Sequence, residues 1–210
     1  MTGPAGPPAR AWWLKTLYRW HWISSAIALV AMLLFAVTGL TLNHAAQIEA
    51  RPVVTDRKAI VPPALLAAHP ARPDDARRHD PLPADIADWI AGALKVDVRG
   101  RPADWSADEL YVALPRPGGD ASLRIARAGG EAELEDTDRG WISYLNDLHK
   151  GRNAGTAWSW FIDLFAVACL VFTVTGLVIL KMHAGNRPGT WPLVGLGLVL
   201  PLLLALLFVH

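Results

Sequence analysis

Residues 35–44 read "FAVTGLTLNH", an apolar opening suited to a bilayer that runs into a polar pair, Asn43-His44. A near copy returns at Phe172–His183 as "FTVTGLVILKMH". Both carry Phe-x-Val-Thr-Gly-Leu, and both end on a histidine. The flanks decide what these segments are. Trp22–Leu42 holds no charged residue over 21 positions, and Trp158–Leu180 holds one, Asp163. A third run, Trp191–Val209, is uncharged, though Pro192 and Pro201 make it the weakest helix. A bilayer core of about 30 Å takes roughly 20 helical residues, so each run is long enough to cross.

Composition agrees. Of 210 residues, 52% are hydrophobic, more than a soluble domain of this size usually carries. Net charge is +1, which gives no sign of nucleic-acid binding. The lone cysteine, Cys169, lies inside the second span and allows no disulfide within the chain. Arg10, Lys15 and Arg19 precede the first span, and Lys181 and Arg187 follow the second, with no acid among them. The positive-inside rule keeps both segments in the cytoplasm and puts residues 45–156 outside. Trp12, Trp13, Trp20, Trp22 and Trp191 then crowd the inner interface, with Trp158 and Trp160 at the outer one. The first apolar run exceeds that of a cleaved signal peptide, so it reads as an anchor.

The expected organisation is a membrane α-helical fold of three transmembrane helices, the first two an antiparallel pair, with a small extracytoplasmic α+β module. Its parts are a cytoplasmic leader 1–21, helix one 22–44, an irregular connector 45–81 and the module 82–140. An interfacial helix and turn 141–156, helix two 157–182, a cytoplasmic turn 183–190 and helix three 191–210 follow. Pro, Arg, Ala and Asp dominate residues 51–81, hence the connector. His69 and His79 fall there and read as solvated. Ile86, Trp89, Ile90, Ala93 and Leu94 recur at helical spacing. "ELYVAL", "ASLRIARA" and "EAELED" follow as three strands of a meander, separated by "PRPGGD" and "AGG" turns. The segment "GWISYLNDLHKGRNAG" has an apolar stripe of Trp141, Tyr144, Leu145 and Leu148 that delivers His149 at its end.

Histidines bracket both spans. His21 stands before the first and His44 after it; His149 stands before the second and His183 after it. Opposite chain directions pair His44 with His149 at the outer face and His21 with His183 at the inner face. Iron in haem takes two neutral imidazoles from opposite sides, and the porphyrin is apolar enough to lie between helices. Zinc wants more protein ligands than either pair offers. Gly176, seven residues before His183, shares its helix face and lets a flat macrocycle approach. Asp163 is a costly carboxylate inside a span. It reads either as acceptor for the second ring N–H of a ligating histidine or as a partner of Arg152. His21 and His44 are 23 residues apart, about 34 Å along a helix. Two haems therefore need macrocycles that reach inward, a bend near Thr38-Gly39 or unwinding at Asn43-His44; otherwise the outer pair alone holds one.

Four marks, "YRWHW", "TGLTLNH", "YLNDLHKGR" and "TGLVIL", resemble the PepSY-associated transmembrane (PepSY-TM) family of bacterial inner-membrane proteins over residues 15–185. The resemblance implies a PepSY-like outer module and His21, His44, His149 and His183 as ligands of one or two b-type haems. It also implies electron transfer across the inner membrane. The donor would be a quinol or a reductase, and the acceptor a ferric chelate or an extracytoplasmic redox protein. The chain is short for this family and has no flavin or nicotinamide site, so it would be the haem subunit of a ferric reductase-like oxidoreductase. The alternatives are a haem-free anchored module that binds a peptide or protease, and a metal-uptake accessory.

Overall fold

In the computed structural model, residues 9–48, 51–71 and 79–209 are described. Residues 1–8 of the leader, residues 49–50 and 72–78 of the connector, and His210 lie outside the described residues. Among the described residues, three helices are long and apolar enough to cross a membrane. These are α1 (Ala9–Asn43), α5 (Gly155–His183) and α6 (Thr190–Phe208). Helix α1 starts well before the expected residue 22 and runs unbroken through Thr38-Gly39. Residues 9–20 are helical because "ARAWWLKTLYRW" holds no Gly or Pro and is rich in good helix formers. Helix α6 carries Pro201 internally and has no buried residue.

The chain divides into two compact units, one formed by residues up to Leu33 with those from Phe161 onward, the other by Leu34–Trp160. In the first unit the buried positions are small: Ser24, Ala28, Ala168, Thr175 and Ala184. Large apolar side chains such as Leu29, Leu33, Leu164 and Leu170 point outward. Helices solvated by lipid pack this way, because small residues let backbones approach while lipid accepts leucine as readily as protein does.

The second unit holds an antiparallel sheet in the order β1-β5-β4-β3-β2. Its strands are β1 (Val53–Ile60), β2 (Asp104–Trp105), β3 (Glu109–Arg116), β4 (Gly119–Ala126) and β5 (Glu131–Asp138). Helices α2 (Pro63–Ala68) and α3 (Ala84–Ala93) accompany it, and α4 (Gly140–Lys150) follows. The three expected strands are present as β3, β4 and β5. The connector is not irregular throughout: Val53–Ile60 adds to β5 along its whole length, from Val53 opposite Asp138 to Ile60 opposite Glu131. "VVTDRKAI" shows little hydrophobic alternation because β1 is an edge strand with most of its side chains exposed. Its place is set by backbone pairing with β5.

One face of the sheet is apolar. Leu110 and Val112 of β3, Leu123 and Ile125 of β4, and Ala132 and Leu134 of β5 are fully or nearly fully buried. Strand residues two apart share a face, which is why the alternation "ELYVAL" was readable. Ile86, Ile90 and Leu94 of the α3 segment cover that face at spacings of four. Burying side chains of this size contributes roughly 1.5–3 kcal/mol each, so this module holds most of the apolar burial in the chain.

Candidate functional site

Two cradles, one in each unit, are built from the repeated motif. In the second unit, Phe35, Thr38 and Gly39 of α1 receive the ring of His149 from α4. Thr38 Oγ1 lies 2.6 Å from His149 Nδ1. The Phe35 ring is tilted against the imidazole at 4.8 Å between centroids. A Cβ added to Gly39 would stand 3.6 Å from His149 Cε1, an ordinary contact.

In the first unit, Phe172, Thr175 and Gly176 of α5 receive His21 of α1 in the same way. Thr175 Oγ1 lies 3.0 Å from His21 Nδ1. Phe172 stacks on the ring at 4.8 Å, with 17° between planes. The fit is closer here, since a Cβ on Gly176 would stand 3.1 Å from His21 Cε1. Each Thr-Gly therefore serves a histidine from a different helix. The sequence reading had set Gly176 beside His183, on the same helix.

Proton positions follow from acceptors that can only accept. The Phe172 carbonyl lies 3.2 Å from His21 Nδ1, so that nitrogen donates. His44 Nδ1 donates to the Leu40 carbonyl at 3.0 Å, and His183 Nδ1 to the Ile179 carbonyl at 2.9 Å. Thr38 Oγ1 also reaches the Leu34 carbonyl at 2.9 Å and the Phe35 carbonyl at 3.2 Å; with its proton on either carbonyl, its oxygen accepts from His149 Nδ1. A neutral imidazole with its proton on Nδ1 carries a lone pair on Nε2. Among the described residues, Nε2 of His21, His44 and His149 has no hydrogen-bond partner, whereas that of His183 accepts from Tyr18 Oη at 3.2 Å. His21 and His149 are half-buried; His44 and His183 are exposed. Neither expected pair, His44 with His149 or His21 with His183, is joined by a direct hydrogen bond among the described residues.

Local sequence explains how His149 arrives. Gly151 ends α4 in the left-handed conformation, φ 68°, and its N–H caps the carbonyls of Asp147 and Leu148. Trp158 Nε1 donates to the same Leu148 carbonyl at 2.8 Å. Asp147 is buried; its carboxylate accepts from the Gly118 N–H at 2.9 Å and pairs with Arg152 at 3.1 Å. Gly118 sits at φ 72°, where a Cβ would meet the Tyr144 backbone at 2.8 Å. The β3–β4 turn is thus clamped to α4 two residues before the histidine. Thr41 donates to Asn146 Oδ1 at 2.7 Å and adds a second tie between α4 and α1.

Asp163 is exposed on α5 with no hydrogen bond or ion pair among the described residues. Arg152 is engaged by Asp147, and the ring N–H groups are taken by threonine and carbonyl oxygens. His69 lies 3.1 Å from Asp85, and His79 lies 2.7 Å from Asp104. The hydrogen bond from His69 holds the Asp85 carboxyl below its ordinary value of 3.8. No cluster of three or more His, Cys, Asp or Glu that could hold a bare metal ion occurs among the described residues. Iron in a macrocycle needs only axial donors, and three of the four imidazoles, those of His21, His44 and His149, have an Nε2 without a hydrogen-bond partner among the described residues.

The model of the putative PepSY_TM-like family matches residues 12–210. The chain belongs to this family. No curated protein and no solved structure matches it. The PepSY_TM-like match spans all three apolar helices, the sheet module and both histidine cradles. Sequence reasoning had marked the histidines and Thr-Gly pairs but missed Phe35, Phe172 and Tyr18 as their neighbours. The signal was the repeat itself: the phenylalanine three residues before each threonine recurs as faithfully as the glycine after it.

Proposed function

We propose that this PepSY_TM-like protein binds haem b and carries electrons across the bacterial inner membrane. The observation that supports the reading most strongly is the common state of four histidines, each with its Nδ1 proton engaged by an oxygen. That is the usual arrangement of a ligating histidine, whose other nitrogen is oriented by a hydrogen bond. His44 and His149 would hold iron at the outer end, and His21 and His183 at the inner end. Tyr18 would turn its hydroxyl away from His183 as that ring binds. Haem supplies one-electron carrier chemistry when bound. The chain's own part is to present Nε2 lone pairs and hold the rings against phenylalanine and glycine, with lipid excluding water.

The contacts Tyr18 with His183 and His21 with Thr175 support an antiparallel α1/α5 pair, and the basic residues beside the spans support a cytoplasmic N-terminus with residues 45–156 outside. Electrons would come from a quinol or a reductase and leave for a ferric chelate or an extracytoplasmic redox protein. Purification from haem-replete cells tests this. A Soret band and a pyridine haemochrome of one or two haems per chain are expected, lost in His149→Ala and His21→Ala and kept in His69→Ala.

A second reading is a haem-free anchored module that binds peptide. It is favoured by β1, which lies at the sheet edge with Val53, Val54 and Ile60 exposed, where an extended peptide adds as a further strand. Colourless protein from the same cells, with a peptide protecting β1 amides from exchange, would select it.

A further inference from the structure

Resting on the haem-binding reading, we infer that Thr38 and Thr175 are positioning residues that hold His149 and His21 as single tautomers and tune the iron they bind. Each threonine hydroxyl has one hydrogen, and each spends it on its own helix. Thr38 donates to the Leu34 carbonyl at 2.9 Å, and Thr175 to the Val171 carbonyl at 2.6 Å. Both threonines are buried, at 9% and 8% relative exposure, which limits competition from water. With the proton so placed, each oxygen is an acceptor facing Nδ1 of a histidine from another helix. An imidazole in such a contact keeps its proton on Nδ1. The contact fixes which nitrogen remains to bind iron, and an acceptor on Nδ1–H makes the ring a stronger donor.

The two sites differ in one respect. His21 Nδ1 has a second acceptor, the Phe172 carbonyl at 3.2 Å. For His149, Thr38 is the only acceptor within hydrogen-bond reach among the described residues. The two threonines are therefore unequal, and Thr38 carries the larger share.

Ring nitrogen NMR on the full haem-free chain in detergent tests this without reference to haem. The expected result is His149 and His21 each protonated on Nδ1. Thr38→Val should move the His149 tautomer ratio by roughly fivefold or more toward Nε2–H, and Thr38→Ser should restore it. Thr175→Val should move His21 less. Haem-loaded Thr38→Val should have a higher midpoint potential than the wild type and Thr38→Ser. A wild-type His149 that is an even mixture or mainly Nε2–H overturns the inference, as does a tautomer ratio or potential unmoved by Thr38→Val. Colourless protein with both rings fixed as Nδ1–H tautomers would instead remove the haem reading and leave the threonine assignment standing.

Discussion

Thr38 Oγ1 and His149 Nδ1 lie 2.6 Å apart, although 111 residues separate them in the chain. The contact joins a threonine inside an apolar span to a histidine at the end of an amphipathic helix. Its equivalent, Thr175 with His21, comes from the second copy of the same six-residue motif. A motif repeated in two spans thus performs one local task twice, which is to seat a histidine from another helix against phenylalanine, threonine and glycine.

A double-mutant cycle on Thr38→Val and His149→Ala should show favourable coupling of about 0.6 kcal/mol, the average for side-chain hydrogen bonds between membrane helices. Reversible unfolding of the full chain in mixed micelles measures it. Coupling indistinguishable from zero would mean that the contact does not hold α4 to α1.

The two motif glycines should respond differently to alanine. At Gly39 the added methyl meets His149 at 3.6 Å, so Gly39→Ala should leave stability and any haem content near wild type. At Gly176 it meets His21 at 3.1 Å, so Gly176→Ala should displace the ring and its stacking on Phe172. The expected cost is about 1 kcal/mol, at the low end for overpacking. Equal effects in thermal melts and absorption spectra would count against the geometry of the Gly176 cradle.

Asp147 should matter more than the arginine it pairs with. Its carboxylate is buried and holds the Gly118 N–H, whereas the Arg152 side chain is 59% exposed. Asp147→Ala should destabilise by roughly 1.5–3 kcal/mol, the range for hydrogen bonds to charged groups. Arg152→Ala should cost no more than about 1 kcal/mol, as exposed ion pairs do. Hydrogen exchange at the Gly118 amide reads the local effect, and protection unchanged in Asp147→Ala would refute the clamp.

The sheet module should lose some stability in acid through Asp85. Its carboxyl is held below the usual 3.8 by the hydrogen bond from His69. A depressed carboxyl pKa favours the folded state above the unfolded value, and the gain fades as pH falls through the lower folded value. Melts of wild type and Asp85→Asn should therefore differ at neutral pH and converge as pH drops below about 4. Curves that stay parallel over that range would exclude the pair as a source of acid sensitivity.

Much of the fold was legible because its signals are local. Three uncharged or nearly uncharged runs specify membrane helices by length alone. The spacing of Ile86, Ile90 and Leu94 specifies α3, and the alternation of Leu110 and Val112 specifies β3. Strand β1 was missed for the opposite reason. Its exposed "VVTDRKAI" follows no period, and its strand state comes from hydrogen bonds to β5, more than 70 residues later.

The sequence by itself determined that this is a three-span membrane chain with a small α+β module, and that histidines stand towards the ends of its first two apolar runs. These properties depend on hydrophobic runs and periodicity, which neighbouring residues set between themselves. Only the tertiary structure decided which groups those histidines touch. A side chain's hydrogen-bond partner depends on which helix faces it and at what rotation. It also turned the Thr-Gly pairs from a general allowance for close packing into two specific seats, because a buried hydroxyl that gives its proton to its own helix can offer a neighbour only its oxygen.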